Sequence, residues 1–364
     1  MDPALDLLYY NDMLKVISIR DRPAPSSATK RRKVSSMADN DVHPAAVVHT
    51  VLGPVPAADL GVFAVHEALL SVVPGAEYAY DIVIDRAEIF ETLAARLRAF
   101  KEAGGGTLVD ATGMFHGRDV PLLEALSRAT GVHLVASTGM GPEENLGGYF
   151  LTPQTNPPTP WPAERFADLF AKEVAEGMVV PRVERRGAAG LIVTTGTAGG
   201  LTPTDESLYR GAARAAMASG VAVAFQPGTD PVAELELILA AGLAPARVAV
   251  RGLDRREFAG AVQTVAGRGA FVSLDRVGFD DPAYLGDEER AELVVGLVSA
   301  GHLDRVLLSA GATGVAKGHP DDDRAYASVL TDFVPRLGAH GVGEAEARQM
   351  LTANPAALLA VKEA

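Results

Sequence analysis

The chain has 364 residues, 48% of them apolar, so it can bury a large core within the length range of a single alternating strand–helix barrel. Its formal net charge of −13 argues against a nucleic acid or an anionic membrane surface as the partner, because phosphate groups attract clustered Lys and Arg. There are no cysteines, which excludes disulfides, thiolate metal ligands and cysteine nucleophiles.

Residues 1–48 are predicted to be a tail, either disordered or an over-extended start, that precedes a folded region at 49–364. The second half of the tail is rich in Pro and Ser and contains a basic run at 30–33, a composition that buries little apolar surface. The composition of this run is typical of a nuclear localisation signal or a phosphate-binding arm. The alternative is a solvated tail that binds no partner. Met37 begins a second candidate start, and whether the residues before it belong to the native protein stays open.

From residue 49 onward, short apolar runs alternate with longer segments of helical periodicity, a pattern typical of βα units. The eight candidate strands are 61–65, 107–110, 133–137, 190–194, 221–225, 248–251, 270–274 and 305–309. The amphipathic segments include 88–103, 164–177, 205–219, 232–241, 257–268 and 288–300. Eight strands, several of them continuously apolar and so covered on both faces, predict an α/β fold, a (β/α)8 TIM barrel.

In such a barrel the active-site residues come from the C-terminal ends of the strands and from the loops that follow them. The glycine cluster at 196–200 follows a strand but lacks the Lys and Ser/Thr of a P-loop, so nucleotide binding is not predicted there. The absence of an apolar stretch of 18 residues and of a secretory-type N-terminus predicts a soluble, cytoplasmic protein.

Ten short motifs run in order from about residue 50 to the C-terminus. They are VLGPV (51–55), VHEALL (65–70), VDATG (109–113), HGRDV (116–120), VASTG (135–139), GLIV (190–193), RVGFDDP (276–282), HLDRVLLS (302–309), FVPRL (333–337) and LTANPA (351–356). With them the chain resembles the phosphotriesterase family, including its lactonase branch, of the amidohydrolase superfamily. The resemblance implies a TIM barrel and a hydrolase that uses two divalent ions, usually zinc.

The resemblance also implies a ligand set: an HxH pair on the first strand, a carboxylated lysine on the fourth, histidines on the fifth and sixth, and an aspartate on the eighth. Such imidazole and carboxylate ligands suit divalent metals that activate water. This chain keeps His66 alone. The other five expected positions hold Ala68, Val193, Gln226, Gly252 and Gly311, none of which replaces the lost ligand. We therefore expect no dinuclear site and no cofactor.

Polar residues at the strand ends are predicted to bind a ligand instead: Arg251, Gln226, Thr138, Thr194, Asp254 and, from the loop at 141–162, Trp161. A fixed guanidinium holds a carboxylate or phosphate by two hydrogen bonds, which makes the pocket receptive to anions. The alternative is that Arg251 forms a structural ion pair with Asp254, Asp275 or Asp110. The loop at 141–162 is interpreted either as a lid or as an ordinary surface loop.

His66 and Asp110 are the predicted catalytic residues. His66 would act as a metal-free general base that Glu67 or Asp110 orients; the alternative is a relic hydrogen-bonded in the core. His116, in the loop after the second strand, is a further candidate for ligand contact.

Two functions follow from these residues and the resemblance. The first is a pseudo-hydrolase, a barrel that binds or processes a small molecule, with an anion as one candidate, without metal. The second is a divergent metal-dependent hydrolase of esters, lactones or phosphotriesters with a rearranged mononuclear site, which would need zinc or another divalent ion. We expect a small-molecule ligand, with neither nucleic acid nor membrane as a partner. Members of the family are often dimers, so a homodimer is an expectation of the resemblance alone.

Overall fold

The computed structural model describes residues 46–74, 76, 79–143, 151–152, 159–180 and 184–362. In chain order the strands are β1 (Ala46–Thr50), β2 (Gly53–Pro56), β3 (Val62–Val72), β4 (Gly105–Asp110), β5 (His133–Met140), β6 (Leu151–Thr152), β7 (Thr159–Pro160), β8 (Met178–Val179), β9 (Arg185–Arg186), β10 (Leu191–Thr195), β11 (Ala222–Gln226), β12 (Val248–Val250), β13 (Phe271–Leu274), β14 (Val306–Leu308), β15 (Thr313–Lys317) and β16 (Val361–Lys362). All eight predicted barrel strands are among them.

The α-helices of the described residues are α1 (Arg86–Glu102), α2 (Val120–Thr130), α3 (Ala163–Ala175), α4 (Pro203–Ser219), α5 (Pro231–Ala240), α6 (Val262–Gly267), α7 (Asp287–Ser299), α8 (Val334–Ala339), α9 (Glu344–Leu351) and α10 (Ala353–Leu359). Short 3-10 turns lie at Ala57–Asp59, Pro245–Arg247, Ala259–Ala261 and Leu303–Arg305, and a π-helical turn lies at Val329–Phe333. Side chains fix the helix starts: Asp85 caps α1, and Thr202 with Asp205 forms a capping box on α4. No helix in the described ranges combines the length and apolar character that a membrane crossing requires.

One parallel sheet of nine strands curls into the barrel, in the order β14-β13-β12-β11-β10-β5-β4-β3-β15. The barrel closes because the chain runs on from β14 through Ser309 to β15, which pairs with β3. Ser309 Oγ accepts a hydrogen bond from the His66 backbone N–H at 3.1 Å, and the Ala68 N–H donates to the Ala312 oxygen at 3.0 Å. The predicted TIM barrel is confirmed.

The barrel interior is a packed core. Its buried members include Phe63, Val65, Val109, Val135, Leu191, Val193, Ala222, Ala224, Ala249, Phe271 and Leu307. Val48 of β1 and Leu60, which precedes β3, pack against the same cluster. Because the interior is filled with apolar side chains, space for a ligand is expected at the ends of the strands rather than through the barrel.

Two predicted boundaries are wrong. Ala46–Thr50 is a strand that pairs with β2 and β16, and Val48 is fully buried, so the folded region starts before residue 49. Residues 1–45 of the predicted tail lie outside the described residues. The predicted helix at 257–268 has its α-helical part only at Val262–Gly267. The start is delayed because the Arg256 N–H donates to the Ala283 oxygen at 2.9 Å, which ties this stretch to the loop after β13.

Candidate functional site

A cavity of about 130 Å³ lies at the C-terminal end of the barrel strands. It is lined by His66, Glu67, Ala68, Ala111, Gln226, Arg251, Gly252, Asp275, Arg276, Tyr284, Gly311 and Thr313. An adjoining cavity of about 210 Å³ shares Ala111 and Arg251 with it, and we call the two the first and second cavity. Of the five positions where family ligands are replaced, four line the first cavity and Val193 lines the second. The structure thus brings together the positions that the resemblance singled out.

His66 is buried in the wall of the first cavity, where its ring is held by Asp275 and Ser273. The Nδ1 atom lies 2.8 Å from Asp275 Oδ1 and 2.8 Å from Ser273 Oγ. Because Ser273 donates its own proton to Asp275 Oδ1, Nδ1 carries the proton that it gives to the carboxylate. The prediction that Glu67 or Asp110 orients His66 is therefore wrong. No sequence pattern connected His66 to Asp275, because the two residues meet only across the barrel.

The other imidazole nitrogen, Nε2, is buried and has no hydrogen-bond partner among the described residues. Burial lowers the pKa of His66, and the Arg251 charge acts in the same direction, so the ring is neutral near pH 7. Burial opposes ionisation of Asp275 as well, but the electrostatic attraction and hydrogen bond of His66, the Arg251 charge and the Ser273 hydrogen bond prevail and hold its pKa well below the usual range. The site therefore pairs a carboxylate with a neutral imidazole.

Arg251 lines both cavities, and its side chain is 17% exposed. Its Nε atom lies 3.8 Å from Asp275 Oδ2, which is an ion-pair distance but too long for a hydrogen bond. Buried Nε has no hydrogen-bond partner in the described part of the chain. Asp275 Oδ2, the oxygen 3.8 Å from Arg251 Nε, instead accepts a hydrogen bond from the Gly252 N–H at 2.8 Å. Arg251 is thus attracted to Asp275 without being hydrogen-bonded to it.

Asp254 does not belong to the ligand-binding set, contrary to prediction, because it lies behind the cavity wall. It is fully buried and accepts a hydrogen bond from Arg290 Nε at 2.9 Å. It also accepts from the backbone N–H groups of Asp275 at 3.3 Å and Arg276 at 2.9 Å. Asp254 is therefore a positioning residue for the chain segment that carries Asp275, and it is not the partner of Arg251.

Glu67 lines the first cavity, although the sequence predicts for it only the role of orienting His66. Its carboxylate accepts hydrogen bonds from Ser309 Oγ at 2.6 Å and from the N–H groups of Ala310 at 3.1 Å and Ala312 at 2.5 Å. These bonds tie β3 to the turn between β14 and β15. Burial raises the pKa of Glu67 to about 7, although the hydrogen bonds oppose the shift.

This raised pKa predicts a specific pH dependence of stability. The pKa of Glu67 is about 7 in the folded state, against an ordinary value of 4.5. Between these two pH values the folded state binds more protons than the unfolded state, so the folded state loses stability as the pH rises. Glu67→Gln removes that contribution. Relative to wild type, its free energy of unfolding is expected to rise by roughly 3 kcal/mol between pH 4.5 and pH 7. Urea unfolding across this range checks it, with exposed Glu292→Gln on α7 as the control. A flat difference for Glu67→Gln would contradict the assignment.

The second predicted catalytic residue, Asp110, lies in neither cavity lining as described. It is buried and accepts hydrogen bonds from the Leu69 N–H at 2.9 Å and the Thr112 N–H at 3.0 Å. The Leu69 N–H belongs to β3 itself, and the Thr112 N–H belongs to the turn that follows β4. Asp110 thus links β3 to the turn after β4, which is a structural role, and a catalytic role has no support among the described contacts.

The remaining predicted ligand-binding residues divide into two groups. Gln226 lines the first cavity and Thr194 the second, and the Thr194 hydroxyl has no hydrogen-bond partner among the described residues. Thr138 and Trp161 are not among the described residues that line either cavity. Thr138 is fully buried, and the Arg165 guanidinium lies 4.8 Å from the centre of the Trp161 ring.

The predicted lid at 141–162 is described only in part. Residues 144–150 and 153–158 lie outside the described residues, so the lid interpretation stays a prediction. Gly141 and Pro142, at its start, line the second cavity together with His116. The structure thus places the predicted contact residue His116 at a ligand-sized space.

The residues of the first cavity do not fit a two-metal centre. His66 Nδ1 is committed to Asp275, and both oxygens of Glu67 accept hydrogen bonds. Arg251 and Arg276 line the same cavity, and two guanidinium charges oppose a dication there. Throughout the described ranges, no three His, Cys, Asp or Glu side chains are grouped so that they could hold a metal ion.

A family model described as the phosphotriesterase family matches residues 46–359. The chain belongs to the phosphotriesterase family. It is 25% identical over 324 residues to a "Phosphotriesterase homology protein" of Mycobacterium tuberculosis, covering 85% of this chain and 96% of the relative. It is 26% identical over 286 residues to an "N-acetyltaurine hydrolase" of Tetraodon nigroviridis, covering 75% and 78%.

Solved structures of the family show the same architecture. A mutant of a phosphotriesterase-like lactonase from Deinococcus radiodurans superposes with a TM-score of 0.75 at 25% identity, covering 86% of this chain and 99% of that chain. The match extends over almost the whole lactonase chain, so the two chains share the barrel fold. The predicted family membership is therefore confirmed.

Proposed function

We propose that this phosphotriesterase-family barrel binds a small organic anion at Arg251 and does so without the dinuclear metal centre. The observation that carries the proposal is a largely buried guanidinium, facing both cavities, whose Nε has no hydrogen-bond partner among the described residues. Buried polar groups are normally hydrogen-bonded, so an unpaired one at a cavity is a recognition element. A bound carboxylate would supply the missing acceptors in bidentate geometry.

The charges around the first cavity favour an anion. Arg251 and Arg276 both line it, and Asp275 compensates one of these charges. Glu67, with its pKa raised to about 7, is only partly ionised at neutral pH. The net potential of this cavity is therefore positive although the chain as a whole is acidic.

A second candidate is a metal-dependent hydrolase of esters, lactones or phosphotriesters, and the similar solved structure, a lactonase, favours the lactone class. The relative named an N-acetyltaurine hydrolase favours hydrolysis in general, because the bond that its name implies is an amide. For this chain such chemistry would require a rearranged mononuclear site. Among the described residues, no three His, Cys, Asp or Glu side chains are grouped so that they could hold the ion.

The anion proposal is tested by titration calorimetry on chelator-treated protein, with acetate, lactate and inorganic phosphate as probes at constant ionic strength. We expect saturable binding of at least one carboxylate, weakened about 10- to 100-fold in Arg251→Gln, because hydrogen bonds to a charged group contribute about 1.5–3 kcal/mol. Arg210→Gln is the matched control, since this arginine is exposed on α4 in a pair with Glu206. Absence of binding by wild type, or equal binding by wild type and Arg251→Gln, would refute the proposal.

A further inference from the structure

The first cavity is lined by a hydrogen-bond acceptor without a partner, beside a guanidinium group whose Nε also lacks a hydrogen-bond partner among the described residues. His66 Nδ1 carries the proton that it donates to Asp275, so Nε2 has a lone pair and no proton. This Nε2 is buried and lacks a donor in the described part of the chain. A ligand that fills the cavity must therefore supply a donor to His66 or leave a buried acceptor unpaired.

The acceptor and the cation lie on the two sides of one carboxylate. His66 Nδ1 is 2.8 Å from Asp275 Oδ1, and Arg251 Nε is 3.8 Å from Asp275 Oδ2. Both side chains line the same cavity of about 130 Å³, so a molecule of a few heavy atoms would meet both. The complementary ligand has an anionic group and a donor group close together.

The nature of the donor follows from the neighbouring charges. An ammonium group would be repelled by Arg251 and Arg276, which both line the cavity. A dianion would meet the Asp275 carboxyl group, which lines the same cavity. These two exclusions leave a monoanion that carries a neutral donor.

We infer that the ligand is a small hydroxycarboxylic acid, with its carboxylate on Arg251 and its hydroxyl donating to His66 Nε2. This inference rests on the proposed anion binding and adds the second contact to it. Any larger substituent would extend into the second cavity, which adjoins at Arg251 and Ala111 and is lined by Met140, Val193 and other residues.

Three probes of nearly the same size separate the contributions: lactate, propionate, which lacks the hydroxyl, and 2-methoxypropionate, which keeps the oxygen but has no O–H. In calorimetric titration of metal-free wild type we expect lactate to bind about tenfold more tightly than either of the other two, the effect of one well-formed hydrogen bond to a buried group.

His66 variants then assign the preference to Nε2. His66→Asn retains a donor near the Nδ1 position and removes Nε2, so the preference for lactate should disappear while acid binding persists. His66→Gln places an amide oxygen near the Nε2 position and should restore part of the preference.

The outcomes distinguish this inference from the proposed function. Equal binding of lactate and propionate, or of lactate and 2-methoxypropionate, overturns the hydroxy-acid assignment and leaves anion binding intact. Failure of all three acids to bind overturns both. The wild-type comparison decides the matter even if a His66 variant does not fold.

Discussion

Replacement of Arg290 by methionine is expected to lower the free energy of unfolding by about 3–5 kcal/mol, because it leaves a buried carboxylate without its cation. Arg290 and Asp254 are both fully buried, with Nε 2.9 Å from Oδ2. Arg290 also bonds Asp287 at 2.6 Å, which anchors the start of α7. Burial raises the pKa of Asp254 and the Asp275 charge adds to the shift, so its ionisation depends on Arg290.

Urea unfolding at pH 7 measures this effect. The matched control is Arg256→Met, since Arg256 pairs with Glu289 on the surface, where an ion pair contributes little to stability. The double variant Asp254→Asn/Arg290→Met removes both charges and should recover a large part of the loss. A loss for Arg290→Met no larger than that of the control would contradict a structural role for the ion pair.

Gly311→Ala is expected to destabilise the fold by about 2–5 kcal/mol, more than the same change at Gly252. Both glycines have a left-handed φ, +57° and +63°, which costs a side-chain residue about 1–2 kcal/mol. A Cβ at 311 would also lie 2.2 Å from the Asp275 backbone oxygen, whereas at 252 the nearest atom is Gln226 Cγ at 4.0 Å. The clash adds about 1–3 kcal/mol at position 311 alone.

This pair of variants bears on the origin of the site. The resemblance places the family's aspartate at Gly311 and a histidine at Gly252. If the prediction holds, the backbone admits a side chain at 252 and excludes one at 311, so a single reverse substitution cannot restore the aspartate. Equal loss of stability in Gly311→Ala and Gly252→Ala, measured by urea unfolding, would show that the backbone does not distinguish the two positions.

The barrel was predictable because its signals are local. Continuous apolar runs such as Val221–Phe225 mark strands covered on both faces, and glycines such as Gly131 and Gly220 end helices in the left-handed conformation. Strand-by-strand comparison with the family's ligand pattern predicts that Ala68, Gln226, Gly252 and Gly311 share a site, and the structure brings them to one cavity.

The bonding within the site was not predictable, because its partners are distant in sequence. His66 meets Asp275 across 209 positions, and Asp254 meets Arg290 of α7 across 36. Only packing decides which of several nearby aspartates pairs with a given arginine. For the same reason the sequence predicts a catalytic role for Asp110, which ends a barrel strand, although its carboxyl group accepts hydrogen bonds from backbone N–H groups.

We propose that this phosphotriesterase-family chain works without a bound metal pair. The most direct measurement is the metal content of protein expressed with added zinc and manganese, then dialysed and analysed by plasma mass spectrometry. We expect far less than one ion per chain, because Arg251 and Arg276 line the cavity and no three His, Cys, Asp or Glu side chains of the described residues form a ligand group. One or two ions per chain that survive dialysis would contradict it.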